Sequence, residues 1–199
     1  MSYFELKFQK LKKVLLLLAN GFEILEASAF IDVMGWNFKE GDQSTELHTC
    51  ALSKEIKSAF NQKFIVDYLL EEIDVNAFDA LAIPGGFKDY HYYDDAFHPA
   101  YLNLIQRFND QNKWITSVCV GALPVAKSGV LQHKNGSTYF SYRNELEGYG
   151  VNISDQPILV DQHIITSCDP STATEVAFIL LEKLTNLKNT KRVRGLMGF

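Results

Sequence analysis

The stretch Trp114-Ile115-Thr116-Ser117-Val118-Cys119-Val120-Gly121-Ala122-Leu123-Pro124 reads as a buried strand that turns abruptly into a helix. Trp114 to Val118 has strand length, and a short helical pattern follows to about Lys127, ending near Gly129. A small residue two before Cys119 and a glycine two after it are what a strand-to-helix elbow needs. The bend leaves no room for bulk there, and it lifts the central side chain clear of the sheet. Pro124 fits, since the first turn of a helix has no N–H bonds to lose. Cys119 then stands at a helix N-terminus, where unpaired N–H groups and the helix dipole favour thiolate over thiol. The competing reading is a small, buried, apolar side chain at a strand end.

Outward from the elbow, apolar runs of strand length alternate with longer helical patterns. Val14 to Ala19 is continuously apolar, as in a parallel strand buried on both faces. Phe22 to about Gly35 follows as a helix, apolar on most sides. Leu47 to Leu52 is a second strand, and Ile56 with Phe64 to Val66 suggests a small antiparallel excursion. Phe78 to Ile83 is another buried strand, stopped by Pro84-Gly85-Gly86, and a helix around Ala100 to Phe108 leads to the elbow strand. Gly136 to Gly150 is polar and aromatic, with no clear period. Ile158 to Val160 and His163 to Thr166 read as strands joined at Asp161-Gln162. The last long helix spans about Ser171 to Leu187, with Ser171 or Thr172 as its cap and Glu175 in its first turn. Repeated strand–helix–strand units imply an α/β fold. Its mostly parallel central sheet carries helices on both faces, in one domain over residues 1–199.

Composition narrows the partners. With 47% hydrophobic and 22% charged residues the chain is ordinary for a soluble globular protein, and a net charge of −5 argues against nucleic acid or an anionic membrane surface. Basic residues gather at Lys7, Lys10, Lys12, Lys13 and at Lys188, Lys191, Arg192, Arg194, and read as solvated faces. Lysines ahead of Val14-Leu15-Leu16-Leu17-Leu18 imitate a secretory leader. The apolar run is short, however, and leads into a helix with Glu23 and Glu26 and no small-residue cleavage pattern. No segment has the length of a membrane span. Cys50, Cys119 and Cys168 are odd in number and far apart, which suggests neither a disulfide framework nor a zinc site. The expected compartment is the cytoplasm, with no cofactor and no metal.

Two further features share the elbow's end of the sheet. Glu26 lies on a helix face with Phe22, Ala29, Phe30 and Val33, so its carboxyl is either paired, at an edge, or protonated. Burial raises a carboxyl pKa, and a neutral glutamate can donate a hydrogen bond to a thiolate. Glu23, by contrast, reads as the solvent-facing acid of the first turn. Pro84-Gly85-Gly86 ends a buried strand, and consecutive glycines let backbone N–H groups approach a ligand closely. In an open α/β sheet, ligands bind outside the carboxyl ends of the strands, where all three features fall.

These residues resemble the ThiJ/PfpI superfamily over nearly the whole chain. The matching elements are Asn20-Gly21-Phe22-Glu23-Ile24-Leu25-Glu26, then Asp79 to Gly86, then Val118-Cys119-Val120-Gly121. Ile164-Ile165-Thr166-Ser167 with Pro170-Ser171-Thr172 is similar to the family's last strand and helix. Arg194-Gly195-Leu196-Met197-Gly198-Phe199 is similar to the tails of its bacterial ThiJ-like branch. The resemblance implies a flavodoxin-like three-layer sandwich and a homodimer. It makes Cys119 the nucleophile, Glu26 its hydrogen-bonding acid, and Gly86 and Val120 the oxyanion N–H donors. It also implies a glyoxalase- or deglycase-like action on reactive carbonyls. The alternatives are an oxidative-stress sensor or chaperone-like protein in which Cys119 is oxidised and, third, a cysteine peptidase.

The chain departs from the family pattern in two places. No histidine follows Cys119, and Tyr139 stands near the loop position where relatives carry one. A tyrosine titrates at about 10 and is a poor base at neutral pH. Among the five histidines the best candidate is His91, in the aromatic loop after the glycine pair, where it either lines the pocket or, the favoured reading, stands at the surface or in a dimer contact; Gly85, Tyr139 and His91 are the possible pocket residues. After Ser167, Cys168-Asp169 replaces an arginine and a glycine, and Cys168 reads as a buried structural cysteine, with a resolving thiol as the other option. The absent histidine weighs against peptide hydrolysis, which needs a proton donor for the leaving amine.

Overall fold

The computed structural model describes residues 11–199. Lys7 and Lys10 of the first basic group lie outside the described residues.

Seven strands form the main sheet: β1 (Lys12–Leu17), β2 (Thr45–Ala51), β5 (Tyr68–Leu69), β6 (Ala80–Ile83), β7 (Trp114–Ser117), β10 (Ile158–Asp161) and β11 (Ile164–Ser167). Their order is β10-β11-β7-β6-β1-β2-β5, parallel throughout except for the β10–β11 hairpin at one edge. Two pairs stand apart: antiparallel β3 (Glu55–Lys57) with β4 (Lys63–Ile65), and parallel β8 (Asn135–Gly136) with β9 (Asn152–Ile153). The helices are α1 (Ile24–Glu40), α2 (Tyr92–Ala96), α3 (Pro99–Asp110), α4 (Ala122–Lys127), α5 (Arg143–Gly148), α6 (Ala173–Leu184) and α7 (Leu187–Met197). α1, α6 and α7 pack together on one side of the sheet, and α3 and α4 pack together by β6 and β7. The fold is the α/β sandwich that the alternation implied.

The central strands are buried because helices cover both faces: Val14 to Leu17 and Ala80 to Ile83 are each fully buried. Helix α1 turns Glu26, Phe30, Val33 and Asn37 inward, a spacing that follows its 3.6-residue period. That phase, rather than any local preference of glutamate, carries the Glu26 carboxyl into the interior.

Several boundaries differ from the sequence expectations, each for a local reason. Phe22 is not helical; it pairs with Gly86 in an isolated antiparallel bridge, so α1 starts at Ile24. The helix also runs past Gly35, where a side chain would meet only open space, and ends at Gly41, whose N–H caps Trp36 and Asn37. The last long helix is two. Asn186 is extended and accepts a hydrogen bond from the Asn189 N–H (3.0 Å), which stops α6 near Leu184 and starts α7. Thr172 occupies the N-cap position of α6, as expected, but its side chain makes no capping bond to the helix. The Ser171 and Thr172 hydroxyls both donate to Asp169, at 2.6 Å each, across a 3-10 turn at Pro170–Thr172. The aperiodic stretch from Gly136 to Gly150 holds a 3-10 turn at Phe140–Tyr142 and the six-residue α5.

Candidate active site

The elbow forms as its spacing required. Register pairs Ile83 with Ser117, which sets Pro84-Gly85-Gly86 beside Val118-Cys119-Val120 at the carboxyl ends of β6 and β7. Cys119 has φ +55°, in the left-handed region, and opens a 3-10 turn (Cys119–Gly121) that passes directly into α4. A side chain at position 121 would come within 2.6 Å of the Ile83 carbonyl oxygen, so glycine is required there. The Thr138 hydroxyl donates to the Cys119 carbonyl at 2.9 Å and pins the turn from the neighbouring loop.

Cys119 is 7% exposed and borders a cavity of about 470 Å³. Gly86, Phe87, Val120, Tyr139 and Tyr142 contribute to its wall, along with the charged Glu23, Lys88 and Asp89. The Val120 N–H lies near enough to the Cys119 sulfur to favour its ionised form. Gly86 lies in the bridge to Phe22, whose two hydrogen bonds are Glu23 N–H to Gly85 (2.9 Å) and Phe87 N–H to Gly21 (3.0 Å); its own N–H is not used in either. A side chain at position 86 would collide with the Gly21 carbonyl and the Tyr92 ring, so backbone alone can stand there.

Glu26 is fully buried behind this wall. Its Oε2 accepts a hydrogen bond from the Gly85 N–H at 2.5 Å, while Oε1 makes no well-formed bond to another group. The carboxyl lies close enough to the Cys119 thiol and to the Glu23 carboxyl for hydrogen bonding to shift the ionisation of all three. Burial pushes the Glu26 carboxyl up to about 8; the Gly85 N–H opposes the rise and the Glu23 charge adds to it. At neutral pH Glu26 is therefore mostly an acid that can donate.

Burial also pushes the Cys119 thiol up, followed by the Glu26 charge, with the Val120 N–H working in the opposite direction. This corrects the expectation that a helix end by itself favours the thiolate. The turn is short and the sulfur is nearly dry, so desolvation outweighs the dipole. The charge repulsion from Glu26 is present only where Glu26 is ionised, and it fades below about pH 8.

The remaining candidates fall on both sides of expectation. Gly85 and Tyr139 are at the site, Gly85 as the donor to Glu26 and Tyr139 in the cavity wall. His91 is not. It is largely exposed, pairs with Asp94 at 3.0 Å and borders a separate recess with Asn20 and Lys57. No histidine lines the Cys119 cavity among the described residues. Cys168 is half-buried rather than buried, donates to Asp169 at 3.1 Å, and is pushed up to about 11 by burial and that carboxylate. Sequence reading missed Glu23. It is half-buried in the cavity wall, not turned to solvent, and its three-residue offset from Glu26 was the available clue.

An elbow cysteine backed by a buried glutamate, at the carboxyl edge of a parallel sheet, defines a class of nucleophile-elbow α/β proteins. Within that class the match is specific: the model of the DJ-1/PfpI family covers residues 12–183, and the chain belongs to that family. Protein DJ-1 homolog B of Arabidopsis thaliana is 27% identical over 177 residues, which is 88% of this chain but 39% of that relative's length. The chain thus spans well under half of that plant protein. YraA of Bacillus subtilis, which bears a cysteine-protease name, is 28% identical over 160 residues, covering 80% of this chain and 90% of its own. Drosophila melanogaster DJ-1beta has the same fold, with a TM-score of 0.83 at 23% identity, over 94% of this chain and 98% of that one.

Proposed function

We propose that the protein is a cysteine enzyme acting on small reactive carbonyls, glyoxalase- or deglycase-like, working as a cytoplasmic homodimer. The observation that carries the reading is the placement of Cys119 at positive φ on a cavity wall, with a neutral, buried Glu26 behind it. For a 2-oxoaldehyde, the sulfur adds to the aldehyde carbon and the thiol proton passes to the carbonyl oxygen, giving a hemithioacetal. The proton on C1 then moves to C2, so that C1 is oxidised and C2 reduced within one substrate and no external oxidant is consumed. Water cleaves the resulting thioester, releasing a 2-hydroxy acid and the thiol. The backbone N–H groups of Gly86 and Val120, both in the cavity wall, would be the donors to the developing oxyanion.

Purified protein is expected to convert methylglyoxal to lactate, and Cys119→Ala is expected to abolish the conversion. Undiminished turnover in that variant would remove the mechanism. A second reading, in which oxidation of Cys119 serves stress sensing or chaperone-like protection, is favoured by the Val120 N–H, which eases ionisation of the sulfur, and by Glu26, which could donate to a sulfinate. Peptide hydrolysis, suggested by the name of the Bacillus relative, is the weaker reading, because among the described residues no histidine lines the cavity to protonate a leaving amine.

A further inference from the structure

The reaction proposed above needs a proton carrier, and the cavity holds no imidazole among the described residues. It does hold two carboxyls in series. Glu23 precedes the first residue of α1 and Glu26 is in its first turn, three residues on, so both side chains leave the same side of the helix start. The Glu23 backbone is fixed by its N–H bond to Gly85 (2.9 Å), and the Glu26 carboxyl by the bond from the Gly85 N–H, so the same glycine holds both. Glu23 faces the cavity, whereas Glu26 is fully buried, and the two carboxyls are near enough for each to shift the other's ionisation. Two carboxylates at such close range repel each other unless one of them holds a proton. The buried Oε1 of Glu26, which has no well-formed hydrogen-bond partner, is the atom placed to carry it.

We propose that Glu23 and Glu26 form a carboxyl dyad sharing one proton, with Glu23 as the end that exchanges it with the cavity and Glu26 as the end that delivers it at Cys119. The dyad takes the acid–base role for which no histidine is at hand, and the proposal rests on the carbonyl-directed reading of the site. In the hemithioacetal step, the proton leaving C1 enters the dyad and the proton reaching C2 comes from it, so the dyad returns to its starting state after each transfer. The other ionisable or charged groups facing Glu23 are Cys119 from the elbow, Lys88 and Asp89 from the loop after β6, and Tyr139 and Tyr142 from the loop before α5.

The test is infrared titration of the intact protein, with the Glu26 carboxylic acid band assigned by its loss in Glu26→Gln. In Glu23→Gln the dyad predicts that this band titrates away at clearly lower pH than in wild type, because the neighbouring negative charge and its acceptor oxygens are gone. Glu23→Asp should move it part of the way back. Superimposable titrations in wild type and Glu23→Gln would overturn the dyad, and this readout needs no turnover. With methylglyoxal, Glu23→Gln is expected to lower kcat by about 100-fold with KM little changed; an unchanged kcat would overturn it equally. Wild type that binds but never converts the aldehyde would overturn the carbonyl reading, leaving the titration to decide the dyad alone.

Discussion

At the scale of single residues, Glu26 couples the site to folding. Its carboxyl keeps a proton up to about pH 8 in the folded chain but loses it near 4.5 once exposed. A group raised in this way holds more protons folded than unfolded. Its contribution is complete below pH 4.5 and is lost as pH rises through about 8, with a slope of up to about 1.4 kcal/mol per pH unit between those values. Glu26→Gln, which stays neutral, is expected to flatten this part of the stability profile. Denaturant melts from pH 5 to pH 8.5 would show wild type falling toward high pH relative to the variant; parallel profiles would mean that Glu26 is ionised in the fold. Cys119 shows how a sequence argument can be right in place and wrong in sign. The elbow spacing located the residue, but the helix-end argument for a thiolate neglected how dry the sulfur is.

At the scale of elements, the elbow is a steric device. Gly121 lies against the Ile83 and Pro84 backbone, which cannot shift without disturbing the β6–β7 pairing. Gly121→Ala is therefore expected to destabilise the protein by about 1–3 kcal/mol and to displace Cys119. Thermal melting together with the rate of Cys119 alkylation would check both effects, and a variant of wild-type stability would contradict the close approach. Elements with a strong period or a continuous apolar run were legible in the sequence: β1, β6, β7, α3 and the β10–β11 hairpin all lie where patterning placed them. The misplaced ends depended on groups distant in sequence or on side-chain chemistry with no period, such as the Phe22–Gly86 bridge and the Asn186 cap. Short α2 and α5 have too few turns to show a periodicity.

At the scale of the molecule, the three thiols sit at three depths. Cys50 is fully buried in the sheet and pushed up to about 12 by burial, Cys168 is half-buried beside Asp169, and Cys119 alone borders the cavity. Exposure and acidity alone favour Cys168, so modification of Cys119 first by mild peroxide, with Cys50 last, is what the oxidation reading of the elbow predicts, as read by peptide mass spectrometry. Equal modification of all three would sink the oxidation reading. The far end of the sheet is held by a buried amide network, in which Asn37 of α1 donates to Thr45 and Asp42 and accepts from Asn189 of α7. That network keeps α7 packed against the helices behind the site. The sequence by itself determined the α/β alternation, the elbow at Cys119 and the glycine turn, because each follows from local sterics or from the period of an element. Only the tertiary structure decided that Glu23 joins Glu26 at the cavity, that His91 lies outside it, and that the sulfur is buried. Those facts depend on which loops meet at the sheet's carboxyl edge and on how much water their packing leaves there.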